Sequence, residues 1–136
     1  MSADKEYWTA RTATAIRMRR QSRLLEVSFD DGACHELPFE YLRVYSPSAE
    51  VRGHGPGQEV LQTGKRMVGI TSIESVGNYA LQFTFSDGHD SGIYSWSYLH
   101  ELCREQERLW EAYLAQISAA GASRDPSGPV LIARQG

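Results

Sequence analysis

Alternation of apolar and polar positions marks the first elements of the chain. Ala15-Ile16-Arg17-Met18-Arg19 alternates small or apolar with basic side chains, and Leu25-Glu26-Val27-Ser28-Phe29 alternates as a half-buried strand does. Successive strand side chains point to opposite faces, so each segment offers one face to a core and the other to water. Asp30-Asp31-Gly32 follows, and Asp-Gly accommodates the positive φ of a tight hairpin turn. The chain is expected to return through Ala33–Leu37 as a paired strand. Pro38 stands where a short helical turn over Phe39–Arg43 can begin, because proline suits the first turn of a helix.

The same pattern recurs downstream. Leu25-Glu26-Val27-Ser28-Phe29-Asp30-Asp31-Gly32 matches Leu81-Gln82-Phe83-Thr84-Phe85-Ser86-Asp87-Gly88 position by position. Phe39-Glu40-Tyr41-Leu42 matches Trp96-Ser97-Tyr98-Leu99 after one inserted residue. Each half reads strand, Asp-Gly turn, strand, aromatic-led helix, and Val68–Ile73 is the strand that precedes the second hairpin, running toward a Gly77-Asn78 turn. A lone hairpin is marginal in water, so two such units gain by sharing one core. Chance similarity is the alternative at this length.

Beyond the second hairpin the period changes. Leu99, Leu102, Cys103, Leu109, Trp110, Tyr113, Leu114 and Ile117 fall on one stripe at spacings of three and four, which predicts a long amphipathic helix. Ser95 or Ser97 can cap its start and Gly121 can stop it. Glu101, Arg104, Glu105, Glu107, Arg108 and Glu111 take the outer side as a solvated face. The expected fold class is α+β: two similar antiparallel β-hairpin units sharing a core, with the long C-terminal helix packed on the sheet. Residues 1–13 and 122–136 are polar or rich in Pro, Gly and Ser and are expected to be flexible tails flanking a domain at 14–121.

Composition narrows the function classes. The chain has 136 residues, 41% hydrophobic and 10% aromatic, enough for one core. A formal charge of −3 gives no global attraction to phosphate backbones or anionic membranes, so neither nucleic acid nor membrane is the expected partner. No apolar run reaches the roughly 18 residues of a spanning helix, and MSADKEYWTARTATA lacks the apolar stretch of a secretory signal; a cytoplasmic location is expected. Two cysteines, Cys34 and Cys103, do not make a disulfide framework and read as reduced thiols.

Three segments carry a resemblance. Leu37-Pro38-Phe39-Glu40-Tyr41-Leu42-Arg43, Ser46-Pro47-Ser48-Ala49-Glu50-Val51 and Asp87-Gly88-His89-Asp90-Ser91-Gly92-Ile93-Tyr94-Ser95-Trp96 together resemble the family named after the N-terminal domain of γ-butyrobetaine hydroxylase. In that hydroxylase and its trimethyllysine relative the domain precedes an iron- and 2-oxoglutarate-dependent catalytic domain and carries a structural zinc. Similar domains are attached to P-loop ATPases of iron–sulfur cluster delivery, whereas for standalone bacterial copies the resemblance implies no function. The hydroxylase zinc pattern, Cys-x-Cys-x-x-Cys with a later His, falls on Ser46, Ser48, Val51 and His89. Three of the four ligands are therefore absent: serine is a poor ligand beside thiolates and valine has no donor atom. No metal and no cofactor are expected, and His89 reads as structural.

Other catalytic constellations are also missing. Cys34 and His35 are strand neighbours whose side chains point to opposite faces, which weakens a Cys/His dyad. Gly53-His54-Gly55-Pro56-Gly57 lacks the lysine of a phosphate loop, and no His-x-Asp pair with a distal His supplies an iron triad. An enzyme is not expected. What remains is surface. Arg17, Arg19, Arg20 and Arg23, with Lys65-Arg66 in the second half, read as edge-strand charges that resist pairing with other chains. The sharper reading of that cluster is a small basic patch for an acidic partner or RNA, against which the overall negative charge argues. The loop from Ser46 to Gly64 is long for a compact domain, and such loops are often functional. It offers Arg52, His54, Gln58 and Glu59 for contact. Two readings follow. One is a non-catalytic interaction or accessory module for an unknown protein partner, connected with metalloenzyme or iron–sulfur proteins and itself a monomer or weak homodimer. The other is a metal-handling or redox protein that uses Cys34, His54 and His89 in a non-standard site.

Overall fold

A computed structural model describes residues 13–53, 55 and 57–126. Both expected hairpin units are present. In the first, β1 (Ala13–Arg19), β2 (Leu24–Phe29) and β3 (Cys34–Pro38) lead into α1 (Phe39–Val44) and a short α2 (Ala49–Arg52). The second consists of β4 (Ile70–Val76), β5 (Ala80–Phe85) and β6 (Ile93–Ser95), followed by α3 (Trp96–Arg104) and α4 (Gln106–Ala119). Each unit is a three-stranded antiparallel sheet with its second strand in the middle, ordered β1-β2-β3 and β4-β5-β6.

The duplication extends to individual hydrogen bonds. Gly32 N donates to Phe29 O at 3.0 Å and Phe29 N to Ala33 O at 2.9 Å; Gly88 N donates to Phe85 O at 2.9 Å and Phe85 N to His89 O at 2.9 Å. Asp31 Oδ1 accepts from Ala33 N at 2.9 Å, as Asp87 Oδ1 accepts from His89 N at 3.2 Å. These are three-residue hairpin loops in which a turn is followed by a glycine of positive φ, +87° at Gly32 and +91° at Gly88. The first strands share an irregularity as well, a register shift between Ala13 and Ala15 and between Ile70 and Ser72. Even the helix entries correspond, with Phe39 N donating to Arg23 O and Trp96 N to Tyr79 O.

The period-2 pattern decides what faces inward. Leu25, Val27 and Phe29 of β2 are buried, and so are Leu81, Phe83 and Phe85 of β5. They meet Leu37, Phe39, Tyr41, Leu42, Tyr94, Leu99 and Leu102 in one continuous core drawn from both units. Burying one such large side chain stabilises the fold by about 1.5–3 kcal/mol.

The long C-terminal helix expected from the stripe is instead two helices. Glu105, at φ −102° and ψ 16°, separates α3 from α4, although Glu105 N still donates to Glu101 O and Leu109 N to Glu105 O. The physical reason lies in the stripe itself. Between Cys103 and Leu109 the inward position falls to Gln106, whose side-chain amide donates to Glu36 O at 3.2 Å. Helix α3 buries Leu99, Leu102 and Cys103 in the main core, while Tyr113 and Ile117 of α4 pack with Val44 in a second cluster. Of the two proposed caps, Ser95 does the capping, its Oγ accepting from Tyr98 N at 3.1 Å. At the other end Gly121 adopts φ +65° and Ala122 N reaches back to Ile117 O.

Residues 122–126, which composition assigned to a tail, run back along the domain: Gly64 N donates to Ser123 O and Arg66 N to Arg124 O. The Arg124 guanidinium forms a two-point bond with buried Glu40, at 2.8 and 2.7 Å, and lies over the Trp110 ring. The remaining parts of both expected tails, residues 1–12 and 127–136, lie outside the described residues.

At both duplicated turns an added Cβ meets nothing within 4 Å, so backbone strain is the sole penalty for a side chain there. Gly32→Val and Gly88→Val are each expected to destabilise the domain by about 1–3 kcal/mol, β-branched residues tolerating positive φ poorly. Urea denaturation of the two single variants checks this, and equal losses are the expected result. A neutral substitution at either turn would contradict the equivalence of the two hairpins.

Candidate functional site

Of the four positions on which the zinc pattern falls in the sequence, Ser46, Ser48 and His89 meet in a hydrogen-bond network, whereas buried Val51 contributes no side-chain bond to it. Ser46 follows the end of α1, and Ser48 caps α2 by accepting from Glu50 N at 3.0 Å. His89 leaves the second Asp-Gly turn. Its ring lies between the two: Nε2 is 2.8 Å from Ser46 Oγ and Nδ1 is 3.0 Å from Glu50 Oε1. A carboxylate only accepts, so the ring proton sits on Nδ1, and Nε2 accepts from the Ser46 hydroxyl. Ser46 Oγ in turn accepts from Ser48 N at 3.3 Å, and the Ser91 hydroxyl donates to Ser48 Oγ at 3.1 Å. Burial lowers the His89 pKa, and nearby Arg43 lowers it further, against the opposing pull of Glu50 and Asp87. The ring is therefore held neutral. Gly92 supplies the space, since a Cβ there would stand 2.4 Å from Ser46 Oγ and 3.2 Å from Pro47 Cδ.

Beside this network lies a charged latch. Asp87 accepts from Arg43 Nε at 3.0 Å and from Lys65 Nζ at 2.7 Å, while Arg43 Nη1 donates to Gln62 Oε1 at 3.0 Å. Burial alone would raise the Asp87 carboxyl. The Lys65 and His89 amide hydrogen bonds, with the Arg43 charge, reverse this and bring it to about 2.

These residues do not fit zinc. Val51 is buried without a donor atom, Ser46 and Ser48 carry hydroxyls, and both nitrogens of His89 are already engaged. Among the described residues no group of three or more His, Cys, Asp or Glu side chains could hold a metal ion. For the non-standard site, Cys34 is exposed on β3 whereas His89 is buried in the other unit. His54, its third member, lies outside the described residues. Burial pushes the Cys103 thiol up to about 12, which suits packing and not nucleophilic chemistry.

The loop expected to carry contacts forms one wall of a groove of about 990 Å³. Val44, Val51 and Leu61 line it on one side and Tyr113, Ala119 and Ala120 of the α4 end on the other. Arg52 and Glu59 lie at this groove, the Arg52 guanidinium 4.8 Å from the Tyr98 ring centre, and Val60 at its edge is half exposed. Gln58 is exposed nearby. Glu50, Ser91 and Gly92 were missed in reading the sequence. Only Gly92 left a signal, a glycine directly before a strand, where close approach of another group is a standing reason for its use. The α4 half of the groove was hidden because its residues read as a helix end.

A duplicated hairpin–helix unit defines a class of small α+β domain, and comparison with known families places it. The chain matches the family described as Gamma-butyrobetaine hydroxylase-like, N-terminal, over residues 16–100, and it belongs to that family. Two proteins solved in solution by NMR are similar to it. One is 46% identical, covering 88% of this chain and 94% of the other, with a TM-score of 0.76. The second is 52% identical over 85% of this chain and 86% of its own, with a TM-score of 0.74. A crystal structure from Acidithiobacillus ferrooxidans ATCC 23270, titled as a protein with unknown function of the DUF971 family, is 40% identical over 67% of this chain and 91% of that one, at a TM-score of 0.56. No curated protein matched the chain.

Two measurements test this account of the site. Purified without a metal-binding tag, the protein is expected to carry less than about one zinc per ten chains and to keep its melting temperature in chelator. Stoichiometric zinc would contradict the description of the site. The latch predicts an acid limb: a carboxyl whose folded pKa is lowered contributes stability that is present above the unfolded value, about 3.9, and is lost as pH falls through the folded value. Urea midpoints of the wild type should therefore drop between pH 4 and about 2, the folded value. Asp87→Asn should be less stable at neutral pH and flatter over that acid range; parallel curves would count against the latch.

Proposed function

We propose that the chain is a non-catalytic interaction module that receives a protein partner in the groove between the 46–62 segment and the end of α4. The observation that carries this reading is the groove: an open apolar channel of about 990 Å³, walled by the long connecting loop, with the half-exposed Val60 and the charged Arg52 and Glu59 at its edge. Apolar floors with a few polar groups around them are how binding sites combine affinity with orientation.

The Ser46, His89 and Glu50 order has the outline of a hydrolytic triad, yet its burial argues for structure. Ser46 is 1% exposed, so its Oγ presents almost no surface to a substrate carbonyl. The Glu50 side chain, 70% exposed, is not the buried group that orients a catalytic histidine. No helix among the described residues is long and apolar enough to cross a membrane. A link to metalloenzyme or iron–sulfur proteins is carried by the fused relatives of the family.

Filling the groove tests the proposal. Ala119→Arg adds bulk and charge at an exposed position of the channel, while Glu74→Arg does the same on the exposed face of β4. In quantitative affinity capture from the native cell, partners held by the wild type and by Glu74→Arg should fall about tenfold with Ala119→Arg, equivalent to about 1.4 kcal/mol. Equal recovery with all three would sink the groove as the docking site. Ester hydrolysis that vanishes in Ser46→Ala would sink the non-catalytic reading.

A further inference from the structure

We infer that Ser46, His89 and Glu50 form a hydrogen-bonded clasp that holds the 46–53 segment against the second hairpin. The donors of this chain do not fit zinc, and what they form is a specific construction. The clasp joins the end of α1 and the start of α2, in the first unit, to the residue after the Asp-Gly turn of the second. Ser46 and His89 are 43 positions apart and Glu50 and His89 are 39 apart, so neither bond belongs to local secondary structure.

Three features show that the arrangement is built. The His89 side chain is 3% exposed, and a buried imidazole with an unmatched nitrogen would be costly; here both nitrogens have partners at hydrogen-bond distance. Ser46, itself buried, serves twice, donating to His89 and accepting from Ser48 N, so it fixes the loop backbone as well as the ring. And the absent Cβ of Gly92 leaves a hole of the size that Ser46 Oγ occupies. Because Ser46 and Val51 line the groove, the clasp positions one of its walls. That consequence for binding rests on the docking reading above, but the clasp does not.

Amide hydrogen exchange of the free protein tests the clasp without any partner. The reporters are the Arg52 and Gly53 amides, which donate to Ser48 O and Ala49 O, and the Val60 amide, which donates to Val51 O. In Ser46→Ala these should exchange about tenfold faster or more, with the amides of β2 and β5 unchanged, as expected for a local opening. Glu50→Ala removes an exposed side chain, does not threaten folding, and should accelerate the same three amides to a smaller degree. Chelator should leave the wild type unaltered. Unchanged exchange in both variants would overturn the inference, as would uniform acceleration throughout the chain, which would mean a general loss of stability. Deprotection of wild-type Arg52 and Gly53 by chelator would give a metal the role assigned here to the clasp.

Discussion

A three-stranded sheet with one apolar face is too small to hide that face by itself, and every other feature of this molecule follows from how two such sheets solve the problem together. The inner residues of β2 and β5 enter one core. The aromatic residues that lead α1 and α3 fill the space between the units, where a phenylalanine would pack as well but a tyrosine can also bond. Tyr41 OH donates to Leu102 O, Tyr94 OH to Leu42 O and Tyr98 OH to Tyr45 O, each phenol of one unit reaching a helix carbonyl or cap of the other. Tyr45 OH donates to Leu109 O within α4, and Tyr113 OH to Gln62 O of the connecting loop. Burial holds the Tyr41 and Tyr94 phenols protonated far above ordinary conditions, so these donors are permanent. Carbonyls at a helix C-terminus lack an intrahelical partner, and at the end of α1 Tyr94 and Tyr98 supply one to Leu42 O and Tyr45 O.

The connection between the units inherits its conformation from that shared core. Leaving α1 the chain must cross to β4, and along the way Ser46 meets His89, Arg43 and Lys65 meet Asp87, and Gly64 and Arg66 meet residues 123 and 124. The long loop is thus secured at its start by neutral hydrogen bonds and at its end by charge and backbone pairing. The part between these attachments forms the groove wall, with Val60 tied to Val51. A segment held between two such attachments has its shape set by hydrogen bonds and ion pairs.

Reading the sequence found the elements that depend on local rules. The alternation at Leu25–Phe29, its repetition at Leu81–Phe85 and the two Asp-Gly turns each encode structure within a few residues, and there the structure agrees to individual hydrogen bonds. Features that depend on distant partners were not legible. The stripe from Leu99 to Ile117 has a helical period on both sides of Gln106, and only the position of Glu36 on β3 shows that Gln106, where α4 begins, faces a carbonyl. Arg124 looked like part of a polar tail because nothing near it in sequence announces the buried Glu40. The candidate site was half legible: Ser46, Ser48, Val51 and His89 were singled out as lost ligands, but that their hydroxyls and ring bond to one another, with Glu50 as third member, depends on three segments meeting in space.

The central claim is that two equivalent units form one cooperative structure around one core. Urea unfolding followed by NMR, residue by residue, tests it most directly, using Val27 in the middle of β2 and Phe83 in the middle of β5 as reporters, both fully buried. The account predicts one midpoint and one slope for both residues, because neither sheet retains its face once the other is gone. Separate midpoints, with one hairpin unit persisting after the other has unfolded, would contradict it.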